Sequence, residues 1–237
     1  MQSELNKRLS EFITTERVLY DVKGDNTLTA SISNISRYLR FLDILYNEYA
    51  ELNDAYVAVV MSQVDDSETA ASGKVPEGFR DRLSRMWEIA GPLQLKIESI
   101  VLFGAIALEK IEFAIRDYFG QDKSLSDDEW HRVAREKGID IPADMKRAKK
   151  NLQNRLLQYR HEHITHNRNL RTLHGAGTNA DGKTQIVAGF LYPDGSEKFA
   201  ASPPVDEAIV WLDSYVKLFI ELIVSNRAES QYKLKSG

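Results

Sequence analysis

Four of the chain's five histidines, His161, His163, His166 and His174, fall between Gln158 and Gly175, with Arg160, Arg168 and Arg171 interleaved among them. Three chemistries could use such a segment. The first is metal binding. On a helix His163 and His166 could share an ion, but His161 and His163 point to nearly opposite sides. His161-Glu162 opens like the HExxH zinc motif, yet Thr165 stands where the second histidine belongs. His166 comes one place late, off the required i, i+4 spacing, and no compact group of Asp or Glu nearby offers a third ligand. The second reading is structural: half-buried histidines with satisfied nitrogens, and arginines paired with acids elsewhere. It accounts for any one of these residues but poorly for their clustering.

The third reading is phosphate chemistry. Arginine presents a planar fork of donors suited to phosphate oxygens. Histidine gives or takes a proton near neutral pH. RNA carries its own nucleophile in the 2′-hydroxyl, so its cleavage needs only a base, an acid for the leaving 5′-oxygen, and positive charge at the phosphate. That chemistry requires neither metal nor cofactor. The segment is also where the basic charge collects. From Ala143 to Leu173 there are eight basic and two acidic residues, a net +6 on a chain of net charge −4. Such a segment on an acidic body focuses an anionic ligand at one place, although a solvated basic helix has the same composition. Lys149, Lys150, His163, Asn167, Arg168 and Arg171 are candidates for holding that ligand, RNA or a nucleotide.

Arg160-His161-Glu162-His163-Ile164-Thr165-His166 resembles the R-x4-6-H motif of HEPN domains, with five residues between the arginine and the last histidine. Those domains often place Asn, Asp or His directly after the arginine, and His161 fits. HEPN proteins are α-helical bundles, usually dimeric, and many are metal-independent ribonucleases of toxin–antitoxin, abortive-infection and other defence systems. The resemblance implies that Arg160 holds the phosphate, that His166 is the general acid or base, and that His161 supports it. It covers about residues 90 to 230. It also implies a homodimer, and a cognate antitoxin or regulatory protein among the partners. A HEPN-like module that keeps the dimer without the chemistry, binding RNA, a nucleotide or a protein, is the alternative.

Geometry constrains the motif. Along one regular helix, six residues correspond to ~9 Å of rise and about 240° of rotation, so Arg160 and His166 do not share a face. Either the helix is interrupted or two copies contribute to one groove, with their basic helices meeting.

The elements that must position this segment read as mainly helical. Leu5, Leu9, Phe12, Ile13 and Val18 recur at helical steps within residues 4 to 20. Ile32, Ile35, Leu39, Leu42, Tyr46, Tyr49, Tyr56 and Val60 keep a heptad seam broken only at Asn53, which predicts a long helix lying along another. Residues 1–64 are thus expected as a helical hairpin packed on the core. DDSETAASGKVPEG, residues 65–78, reads as an exposed loop, and residues 79–237 as the HEPN-like bundle. Within the latter, a short helix from Phe79 stops at Gly91-Pro92, and Leu93–Phe119 is the central apolar helix. Ser126 opens another helix with acids in its first turn. A basic helix runs from Ala143 to Leu173, and the last helix runs from Val205 to about Glu229. TQIVAGFL and SEKFAAS flank Tyr192-Pro193-Asp194-Gly195, predicting a β-hairpin over about 184–202.

The longest uninterrupted apolar run, Ile100 to Leu108, is about half of the ~20 residues that cross a bilayer. No membrane association is expected, and the polar start lacks the apolar stretch of a secretory signal. The absence of cysteine removes disulfides and thiolate metal sites and fits a cytoplasmic location.

Overall fold

The protein is seen in a computed structural model that describes residues 2–19, 27–71, 77–121, 126–153, 156, 171–178, 184–191 and 205–232. It is mainly helical. Helices α1 (Gln2–Leu19), α2 (Thr27–Ala71), α3 (Phe79–Tyr118), α4 (Asp127–Glu136) and α5 (Met145–Leu152) precede strands β1 (Arg171–Thr178) and β2 (Thr184–Leu191). Helix α6 (Val205–Ser225) and a 3-10 turn at Arg227–Glu229 close the described chain.

Two very long helices form the frame. The seam read on α2 is its inner face: Ile32, Ile35, Leu39, Leu42 and Tyr49 are buried. Helix α3 returns antiparallel beside it, with Lys96 paired to Glu48 and the Phe41 and Phe103 rings 5.6 Å apart. Helix α1 adds Leu9 and Phe12, and Phe12 meets Phe219 of α6 edge-on at 6.1 Å. Leu212, Val216, Phe219, Leu222 and Ile223 of α6 complete one continuous core with Leu93, Ile97, Ile100, Leu108 and Ile111 of α3. Val18, expected on the apolar stripe of α1, is 66% exposed, whereas Glu16 is buried and takes two hydrogen bonds from Arg227.

Both long helices run through places where the sequence suggested breaks. Helix α2 continues to Ala71, so residues 65–71 of the expected loop are helical. Their polarity suggested a loop, but none of them is Gly or Pro, and the first such breaker is Gly73. Helix α3 continues through Gly91-Pro92. Pro92 deprives the Glu88 carbonyl of its donor, at a cost of about 3 kcal/mol in a helix interior. Glu88, Gly91 and Pro92 are all exposed, so water can serve that carbonyl. Burial of Leu93 and Ile97 immediately afterwards holds the register.

The strands pair antiparallel, from Arg171 opposite Leu191 to Thr178 opposite Thr184. This corrects two expectations. The basic helix does not reach Leu173, because Arg171–Leu173 are strand. TQIVAGFL is β2, but its partner is the segment before it. The expected turn Tyr192–Gly195 and second arm 196–202 lie outside the described residues. The last helix stops at Ser225, short of Glu229, where Asn226 leaves the helical conformation.

Candidate functional site

Helix α4 starts on a complete capping box. Ser126 Oγ accepts from the Glu129 amide, and Glu129 takes hydrogen bonds from the Ser126 hydroxyl at 2.6 Å and its amide at 2.8 Å. These bonds, the hydroxyl's first, hold the Glu129 carboxyl below the usual carboxylate range. Gly138, at φ 75, supplies the left-handed residue that ends the helix and turns the chain. The connection to α5 is then clamped by the buried Asn226. Its Nδ2 donates to the Asp140 carbonyl at 2.8 Å, and its Oδ1 accepts from the Asp140 amide at 2.6 Å.

Helix α5 is short and strongly two-faced. Met145, Lys149 and Leu152 face inward, and Lys146, Arg147 and Lys150 face solvent. A lysine on a buried face needs a counter-charge. Glu112 of α3 provides it: Lys149 Nζ donates to one carboxylate oxygen, and the hydroxyl of Tyr215 of α6 donates to the other. Three helices are therefore joined through one carboxylate. Beside it lies a small cavity of about 20 Å³, room for one water, bordered by Trp130, His131, Met145 and Lys146. Beyond α5 the backbone widens to a π-type turn at Gln153 and Leu156. Leu156 is buried against α3 at Gly104, where a Cβ would come within 3.2 Å of its Cδ1. An added side chain there would press on the Leu156 methyl groups.

The structure places the candidate residues unequally. Lys149, expected to hold substrate, is 8% exposed and its charge is matched by Glu112 within the fold, which argues against that role. Lys150 is exposed on the outer face of α5. Arg171 opens β1 rather than extending a helix. Arg160, His161, His163, His166, Asn167 and Arg168 lie outside the described residues. Among the described residues no three His, Asp or Glu side chains converge as a metal site would require.

Glu112, Tyr215 and the cavity residues were not singled out in the sequence. A signal was there: Glu112 follows buried Ile111 and precedes buried Ala114 on the core side of α3, and an acid in that setting calls for a cationic partner. Which cation answers depends on how α5 is laid down. No family model, curated protein or solved structure matches this chain.

Proposed function

We propose that the protein is a metal-independent endoribonuclease of HEPN type, acting as a toxin or defence component. Cleavage proceeds by attack of the substrate's own 2′-hydroxyl on the adjacent phosphorus, leaving a 2′,3′-cyclic phosphate and a 5′-hydroxyl. Arg160 holds the phosphate and stabilises its developing charge. His166 moves the proton, as base toward the 2′-hydroxyl or as acid toward the leaving oxygen, and His161 supports it. Exposed Lys150, with Arg168 and Arg171, attracts the strand.

The observation that carries the reading is the Gln158–Gly175 segment, four histidines and three arginines within eighteen residues of a mainly helical chain, with the Arg160–His166 motif inside it. The fold is compatible with it. The resemblance expects the central apolar helix to be followed later by a helix that bears the motif, and α3 does precede the segment in the chain.

The test is incubation of purified protein with a labelled structured RNA in EDTA, beside Arg160→Ala and His166→Ala. Cleavage by the wild type alone, with cyclic-phosphate ends, is the expected result. Each substitution should lower the rate by about 10²-fold or more with unchanged thermal stability. A folded wild type that binds RNA without cutting it would replace the enzyme by the non-catalytic module.

A further inference from the structure

Among the described residues, the cavity beside Glu112, where α3, α4, α5 and α6 converge, has more positive than negative charge on its walls. Those walls fall into three groups. Ile115, Ile141, Met145 and Leu222 are apolar. Glu112, Lys149 and Tyr215 are the bonded trio, in which one ammonium matches the carboxylate. Lys146 of α5 and His131 of α4 supply the rest, the first exposed and the second half-buried. Counted over the walls, two ammonium groups stand against one carboxylate. The imidazole adds a further positive charge whenever it is protonated.

A water molecule fits this space but leaves the surplus as it is. An anion offsets it, in a setting that strengthens attraction, because apolar walls lower the local dielectric. Size limits which anion. A cavity of about 20 Å³ admits one water-sized particle. Phosphate, sulfate and carboxylate-bearing metabolites need more room, whereas chloride and bromide are single atoms little larger than water. Hydration narrows the choice further. Fluoride holds its water tightly and loses it at a high cost beside apolar walls, and chloride and bromide lose it more readily. The inner walls are also fixed in place: Lys149 and Tyr215 are 8% and 1% exposed, and both are bonded to the same carboxylate.

We propose that this cavity is a site for a single halide ion, chloride under ordinary conditions, held between the Lys146 ammonium and the His131 ring. Lys149 stays the counter-charge of Glu112, and its ammonium adds to the positive field at the ion without leaving the carboxylate. The ion joins α4 to α5 at the point where α5 is seated on α3 and α6. The proposal does not rest on RNA cleavage.

The experiment is thermal unfolding of the full chain as sodium chloride replaces sodium gluconate at constant ionic strength, so that general screening does not change. Chloride should raise the melting temperature by about 3 °C, saturating in the millimolar range. Bromide should act alike, and fluoride and phosphate should have no such effect. Direct binding is read from the chloride NMR line, which the wild type should broaden. Lys146→Gln changes an exposed side chain, and it should move the chloride midpoint up about tenfold. His131→Gln, on the other helix, should do the same. Should either variant melt early, the chloride line measured below its transition decides. Equal stability in chloride and gluconate, with no broadening, makes the cavity a water site and overturns the proposal. A chloride effect that both variants retain places the ion elsewhere and overturns it equally, as does stabilisation by phosphate in place of chloride.

Discussion

Lys149 shows how one residue changes meaning between sequence and structure. Counted along the chain it is one of eight positive charges in a basic stretch. In the fold it is the cation that lets Glu112 sit against the core, with the Tyr215 hydroxyl on the other oxygen. Removing one partner of a buried pair is costlier than removing both, because the remaining charge stays desolvated. Lys149→Met should therefore lower unfolding free energy by about 3 kcal/mol in urea titration. Adding Glu112→Gln, which is neutral and still accepts from Tyr215, should recover most of that loss. A Lys149→Met protein of wild-type stability that binds RNA weakly would return Lys149 to the substrate surface.

At the scale of elements, local signals and packing pull against each other, and each wins in places. The cap of α4 is local, complete within four residues and legible before any tertiary contact exists: Ser126 and Glu129 satisfy each other's backbone donors. It also gives α4 a pH dependence. Glu129 is held below its ordinary range, so its contribution is present above the usual carboxylate pKa and is lost as pH falls through the depressed value. Amide-exchange protection across Asp127–Glu136, relative to the intrinsic rate at each pH, should fall at acid pH, and Ser126→Ala should bring the Glu129 carboxyl back toward its ordinary value in an NMR titration. Helix α3 is the opposite case. Gly91-Pro92 is a local stop, but the inner seam packed on α2 carries the helix through it.

The whole molecule is tied at positions far apart in the chain. Arg227, just past α6, gives two hydrogen bonds to Glu16 of α1, whose carboxylate is 3% exposed. Arg227→Met should lower global stability by about 3 kcal/mol, seen as one cooperative thermal transition at lower temperature, and Glu16→Gln should restore part of it. The sequence by itself determined what depends on neighbours within a turn or two: the helical class, the inner seam of α2, the cap of α4 and the concentration of histidine among arginine. Those follow from periodicity and from bonds between residues three or four apart. Only the tertiary structure decided what depends on residues tens or hundreds of positions away. It chose Glu112 as the partner of Lys149 and passed α3 through its proline. It buried Glu16 in place of Val18. Packing energy is summed over contacts between distant segments, and no local pattern carries that sum.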